Sequence, residues 1–520
     1  MPVNSAYAVR PAAAAPAADF DAQRFFGPDL TAGCGLHFAA AKAAGAKPIW
    51  LLRAGKTWPQ SLPLPAQNWL KAQNFTAAAG AFALLPDANG GIGGAVFGLG
   101  AAAETDEDCP PFSAAETDSS PLIFGALPAK LPAGAWHFAA DSLAGAGLSA
   151  ADLLAACRNM LAGAYRFCLQ AEPAPAPAQL EFQLPQGVNK TQLLAQAEAL
   201  FLTRNLVNLP ANIMNCERLE QAARFVAGQF GAAIEVIKGD ALLAANLPLI
   251  HAVGRAGPDA PRLIILNWDN RPAAAGNQGA NISLVGKGVC FDTGGLDIKS
   301  ANGMLLMKKD MGGAAHALGL AQMIMAAGLP VRLQVVIPAV ENSVSGNAFR
   351  PGDVLPSRKG LSVEVGNTDA EGRLILADAL AYADESAPDI LIDMATLTGA
   401  ARVALGPDIP PFYCRSQKFA AALLAAAQAQ HDPLWPMPLW QPYLQAMTSP
   451  LADLNNAGKD GFAGSVTAAL FLSRFVERAK IWAHLDIYAW QPKAAPSAPA
   501  GGRAQALLAL FALLKEKFAQ

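Results

Sequence analysis

Through the second half of the chain, short and nearly continuous apolar runs alternate with helical patterns. "RLIILNW" (262–268), "NISLVGKGV" (281–289), "VRLQVVIPAV" (331–340), "DILIDMATL" (389–397) and "IWAHLDIY" (481–488) read as strands. The segments 312–327 and 373–383 read as helices between them. Ahead of this region, Leu193, Leu194, Ala197, Leu200 and Phe201 mark one face of a helix over 190–205. Apolar strands without polar alternation imply a sheet buried on both faces, at least partly parallel, with helices packed on it. Such sheets bind ligands outside the carboxyl ends of their strands. Lys287 to Asp292 ends one predicted strand, and "TLTGA" (396–400) ends another.

The segment "AEPAPAPAQL" (171–180) interrupts the chain. Alternating Ala and Pro favours an extended, semi-rigid spacer. The expected fold class is therefore α/β with two domains: a smaller N-terminal α/β domain over 1–170, an Ala/Pro linker over 171–189, and a C-terminal catalytic domain over 190–520. The last is expected to carry a mostly parallel, mixed sheet flanked by helices. A length of 520 residues suits two hydrophobic cores better than one. The apolar run 79–103 contains Pro86, Asp87, Asn89 and many glycines, which excludes it as a membrane span. The opening residues "MPVNSAYAVRPAAAAPAADF" hold one Arg, interrupting prolines and no leucine-rich core, arguing against a signal peptide. Seven dispersed cysteines without a C-x-x-C pair read as the reduced thiols of a cytoplasmic protein. A net charge of −3 without basic runs argues against a nucleic-acid or membrane-surface partner.

The six histidines show neither H-E-x-x-H nor H-x-H spacing, so a common His-ligated zinc site is absent from the sequence. No phosphate-binding G-x-x-x-x-G-K-[ST] loop and no G-x-S-x-G nucleophile elbow occurs at a strand end. Carboxylates and lysines remain. "VGKGVCFDTGGLDIK" supplies Lys287, Asp292 and Lys299. "MLLMKKDMGGAA" supplies Asp310 at the mouth of a Gly-started helix. "GNTDAEGRL" sets Asp369, Glu371 and Arg373 at two-residue spacing. In an extended segment these three side chains would point one way. Burying two carboxylates on one face requires added positive charge, and a metal supplies it. Four carboxylates can neutralise two divalent cations held about 3.5–4 Å apart, and hard oxygen ligands suit Mn²⁺, Mg²⁺ or Zn²⁺. A lysine joins such a set only as a neutral amine. Glycines 286, 288, 294, 295, 312 and 313 permit close backbone approach. Taken singly, each motif has an ordinary reading as a solvated strand face, a surface lysine, a helix cap or a turn. Their joint order is far more specific.

"VGKGVCFDTGG", "MKKDMGGAA", "NTDAEGRLILADAL" and "ATLTGA" closely resemble the leucyl aminopeptidase (cytosol aminopeptidase) family. "NLVNLPAN" (205–212) and "WAHLDI" (482–487) extend the resemblance from about Leu200 to Ile487. It implies a metal-dependent aminopeptidase that releases N-terminal amino acids, leucine or other apolar residues preferred, from peptides. It implies two divalent metal ions per subunit, Mn²⁺ or Zn²⁺, that activate water. By this resemblance Lys287, Asp292, Asp310 and Glu371 hold the tighter-binding metal. Asp292, Asp369 and Glu371 hold the exchangeable one, and Asp369 adds its main-chain carbonyl. Lys299 polarises the scissile carbonyl, and Arg373 clamps a bicarbonate that serves as general base. Met307 and Thr396 line the first side-chain pocket, and the backbone of Leu397 and Gly399 holds the peptide. A cytoplasmic homohexamer is implied as well. The family commonly has small residues after "HLDI", whereas this chain has Tyr488, Ala489, Trp490 and Gln491. Two aromatics there are expected to narrow or reshape the pocket. Three rivals stand beside this reading. A DNA-binding role is opposed by the charge. An inactive homologue is opposed because every metal and catalytic position is filled. A two-metal phosphoesterase is opposed because such sites usually recruit His.

Overall fold

Two separate sheets organise the computed structural model, which describes residues 21–27, 34–102, 112, 120–169, 179–272 and 279–518. Strands β1 (Leu36–Ala39), β2 (Lys47–Leu52), β3 (Phe82–Pro86), β4 (Ile92–Gly98), β5 (Gly134–Phe138) and β6 (Leu180–Gln183) form the first sheet, in the order β1-β6-β5-β2-β4-β3. All its pairs are parallel except β3–β4. Ile49, Phe97, Trp136, Phe138 and Phe182 build its core. Strand β6 falls within the stretch 171–189 expected as a linker. Leu180 and Phe182 are apolar and buried while Glu181 is exposed, so this segment pairs with β1 and β5 instead of spanning solvent. Residues 171–178 lie outside the described residues.

The second sheet has nine strands. It comprises β7 (Ala233–Lys238), β8 (Arg262–Asp269), β9 (Asn281–Gly286), β10 (Gly288–Asp292) and β11 (Arg332–Asn342). The small strands β12 (Val354–Pro356) and β13 (Ser362–Glu364) lie apart from it. The sheet continues with β14 (Ile390–Ala395), β15 (Pro411–Cys414), β16 (Trp435–Pro436) and, after β17 (Leu454–Asn455), which joins β12 and β13 in a separate three-stranded sheet, with β18 (Ile481–Asp486). The order is β16-β15-β18-β14-β9-β11-β8-β7, with β10 also paired to β11. Strands β18, β14, β9 and β11 run parallel; β8 pairs antiparallel with β11, β7 antiparallel with β8, and β15 antiparallel with β18. Burial follows the period of two. Ile282, Leu284, Leu333, Val335, Ile390 and Ile392 face one core, whereas Val285, Val336 and Leu391 face the other. Helices Lys190–Asn208, Cys216–Phe230, Gly312–Ala326 and Leu507–Phe518 cover the first face, and Pro248–Gly254, Glu371–Asp384 and Gly464–Ser473 cover the second. The predicted run 281–289 is two strands, interrupted at Lys287. No helix among the described residues is long and apolar enough to cross a membrane.

One expectation is overturned. Glu371 and Arg373 lie in the first turn of helix Glu371–Asp384, not on an extended segment. Leu376, Ala379, Leu380 and Ala383 recur at helical spacing and are fully buried. That apolar stripe outweighs the local two-residue alternation of charges.

The helix Gly312–Ala326 begins directly against the strand ends. A Cβ at Gly313 would sit 2.0 Å from the Met394 carbonyl oxygen and 2.7 Å from the Lys287 nitrogen. Both are backbone atoms, so neither can move aside cheaply. We expect Gly313→Ala to destabilise the protein by about 3 kcal/mol or more. Gly228 sits in a helix with nothing near its missing Cβ, so Gly228→Ala should stabilise by about 0.5–1 kcal/mol. Urea unfolding of the two variants checks both signs; a neutral Gly313→Ala would refute the close-packing argument.

Candidate active site

Because β9, β11, β14 and β18 run parallel, their carboxyl ends share one edge of the sheet. Lys287 follows β9, Asp292 ends β10, Thr396 follows β14 and Asp486 ends β18. Asp310 closes a short 3₁₀ turn (Met307–Lys309) just before helix Gly312–Ala326. Asp369 sits in the turn before Glu371–Asp384, where the helix N-terminus favours the Glu371 carboxylate. Two loops are tied together behind these groups. The Thr368 amide donates to Asp297 at 2.8 Å, and the Thr368 hydroxyl donates to the Gly294 carbonyl at 2.6 Å.

All eleven residues selected from sequence line one cleft of about 580 Å³: Lys287, Asp292, Lys299, Met307, Asp310, Asp369, Glu371, Arg373, Thr396, Leu397 and Gly399. Among the described residues, Asp292, Asp369 and Glu371 present carboxylate oxygens within 4.8 Å of one another. Asp310 stands slightly apart, joined through Lys287. The Lys287 Nζ lies 2.8 Å from Asp310 Oδ2 and 2.9 Å from Glu371 Oε1, and it donates to the Thr396 carbonyl at 3.0 Å. Room for this side chain comes from Gly372, where a Cβ would lie 2.6 Å from the Lys287 Cε. Lys299 bridges Asp292, at 2.8 Å, and Asp369. Arg373 is buried and donates to the Asn456 carbonyl at 2.7 Å, while its Nε has no hydrogen-bond partner among the described residues.

Crowded burial sets the electrostatics. Burial, then the neighbouring Asp292, pushes the Glu371 carboxyl up to about 8 and that of Asp369 up to about 6. Burial likewise raises Asp310. For Lys287, burial opposes the charged form, but Asp310 and Glu371 outweigh it and hold the ammonium above the ordinary lysine range. Burial lowers Lys309 to about 8. The donor set fits a divalent cation. Glu371 Oε2 is buried and meets no hydrogen-bond donor among the described residues, and three hard carboxylates converge on one point.

Several supporting residues escaped sequence reasoning. Asn342 donates to Asp292 at 2.9 Å and to the Thr368 carbonyl at 3.0 Å, fixing one carboxylate from the end of β11. Its place beyond a predicted strand was the available signal. Asp486 accepts from the Leu397 and Thr398 amides at 3.1 and 3.0 Å, so the Leu397 N–H is already engaged. Thr396 donates its hydroxyl to Asp310 at 2.8 Å. Of the two aromatics flagged after "HLDI", Tyr488 lines the cleft. Trp490 does not; it lies on β19 (Trp490–Gln491), which pairs with β20 (Gly501–Gly502).

Residues 201–510 match the model of the "Cytosol aminopeptidase family, catalytic domain". The chain is 43% identical over 295 residues to a "Probable cytosol aminopeptidase" of Xanthomonas campestris, covering 56% of this chain and 58% of that protein. A "Probable cytosol aminopeptidase" of Acidithiobacillus ferrooxidans is 40% identical over 380 residues, covering 70% of this chain and 75% of that one. The match thus spans rather more than half the length of the Xanthomonas relative. The crystal structure of a cytosol aminopeptidase from Coxiella burnetii superposes with a TM-score of 0.82 at 39% identity, covering 93% of this chain and 99% of that one. The bottromycin maturation enzyme BotP in complex with Mn superposes with a TM-score of 0.77 at 29% identity, covering 91% of this chain and all of the other. With both its catalytic-domain sequence and its architecture shared in this way, the chain belongs to the cytosol aminopeptidase family.

Proposed function

We propose that this protein is a metal-dependent aminopeptidase that releases single N-terminal amino acids from peptides, with water activated between two divalent ions. The observation that carries the reading is the convergence of Asp292, Asp369 and Glu371, with Lys299 reaching two of them and Arg373 in the same cleft. Family membership supports the reaction class, and the BotP structure with Mn supports a divalent ion. Lys287, Asp292, Asp310 and Glu371 would hold one ion, and Asp292, Asp369 and Glu371 the other, Mn²⁺ or Zn²⁺. Bound there, the ions would supply Lewis-acid polarisation and lower the pKa of water toward neutral.

The chain's own groups then have distinct tasks. Asp310 accepts from the free α-amine, a contact that a blocked N-terminus cannot make. Lys299 donates to the oxygen that becomes negative as the carbonyl turns tetrahedral. Arg373, whose buried Nε has no hydrogen-bond partner among the described residues, would hold bicarbonate, the proposed general base. Water adds across the amide, leaving a free amino acid and a peptide with a new amine. The catalytic unit of this proposal is 190–520, and the N-terminal unit is 1–170. A cytoplasmic homohexamer belongs to the same proposal. The leucine preference implied by the resemblance rests on Met307 and Thr396 alone.

Hydrolysis of amino-acid p-nitroanilides should vanish on chelation and return with Mn²⁺ or Zn²⁺; activity that survives complete metal removal would refute the mechanism. Lys299→Ala should lower kcat by about 10²–10³-fold with metal content unchanged by elemental analysis, and near-normal turnover would dismiss its role. Asp292→Ala should deplete both ions, whereas Asp369→Ala should deplete one. Two fully retained ions in Asp292→Ala would overturn the bridging assignment.

A further inference from the structure

One wall of the cleft is cationic in a way the carboxylate cluster does not explain. Lys309 is only 6% exposed, and its Nζ lies 5.0 Å from the centre of the Tyr488 ring. The Arg402 guanidinium, on helix Gly399–Leu405, lies 4.7 Å from the centre of that ring. Lys309, Arg402 and Tyr488 line the same cleft as Met307 and Thr396. Among the described residues neither cation forms an ion pair within 4 Å. The carboxylates that face Lys309 are Asp310 and Asp486. Neither closes an ion pair on Lys309: Asp310 meets Lys287 and Thr396, and Asp486 accepts from Leu397, Thr398 and Ser465. Tyr488 itself is held in place by its backbone, which donates to Gln505 at 3.0 Å.

Two like charges around one ring, one of them deeply buried, repel each other, and neither is neutralised by an ion pair among the described residues. Seating a leucine side chain there would cover Lys309 with hydrocarbon and deepen that cost. A carboxylate between them would relieve it, forming charge-assisted hydrogen bonds in a site of low dielectric. We infer that this pocket takes an acidic N-terminal side chain, aspartate or glutamate, with Lys309 and Arg402 as its partners and Met307 against its methylenes. The inference rests on the aminopeptidase reading and replaces the apolar preference within it.

The test is kcat/KM of the metal-loaded enzyme on arylamides of Glu, Gln, Asp and Leu, which carry no carboxylate except the side chain. Glu should exceed its neutral isostere Gln by about tenfold or more, and added salt should shrink the gap. Lys309→Met and Arg402→Gln should each lower the Glu/Leu ratio by about 10–100-fold. Arg402 is exposed, so its variant reports even where the buried Lys309→Met fails to fold. A Glu/Gln ratio near one, or a Glu/Leu ratio unmoved by Arg402→Gln, would overturn the pocket assignment while leaving the aminopeptidase intact. Selective loss by the variants on the dipeptide Leu-Gly, with no effect on Glu arylamide, would move the carboxylate to the substrate's C-terminus and also overturn it. Absence of turnover on all four arylamides with metal bound would overturn the aminopeptidase reading and the pocket together.

Discussion

The buried contact of Lys287 with Asp310 and Glu371 constrains everything around it. Three ionisable residues, each no more than 3% exposed, meet within 2.9 Å. Removing such groups from water costs several kcal/mol per ion, and only tight mutual geometry recovers it. The fold is arranged to give that geometry. Lys287 interrupts what would otherwise be a single strand, at the point where the parallel carboxyl ends converge. Gly313 lets a helix start against that point, and Gly372 leaves the lysine stem its channel. Neither glycine is in a turn; both matter because a methyl group would collide with fixed atoms.

Around this contact the remaining charges are positioned from independent elements. Asp292 comes from the end of β10 and is oriented by Asn342 across the β10–β11 pair. Asp369 and Glu371 come from the turn and first residue of a helix that packs on the other face of the sheet. Their oxygens converge although the elements carrying them are far apart in sequence. Such convergence of like charge, with raised carboxyl pKa values, marks a site kept for chemistry over stability. The cationic wall at Lys309 and Arg402 follows the same logic with opposite sign.

The sequence by itself determined much of this. Continuous apolar runs identified the strands of the second sheet because double burial leaves no polar alternation to obscure them. The order of Lys287, Asp292, Lys299, Asp310, Asp369, Glu371 and Arg373 selected residues that the fold brings into one cleft. Local pattern failed where two periodicities competed. The two-residue spacing of Asp369, Glu371 and Arg373 read as a strand, yet the apolar stripe at Leu376, Ala379, Leu380 and Ala383 made it a helix. Alanine and proline at 171–178 suggested a linker reaching to 189, yet two alternating apolar residues, Leu180 and Phe182, sufficed to join a sheet within that stretch. Only the tertiary structure decided which neighbours matter. Asn342 and Arg402 lie outside every quoted motif, Lys309 and Asp486 lie within "MKKDMGGAA" and "WAHLDI" without an assigned role, and Trp490 was flagged without lining the cleft. Their roles depend on distances between elements that local sequence does not encode, because packing of helices on a twisted sheet sets them.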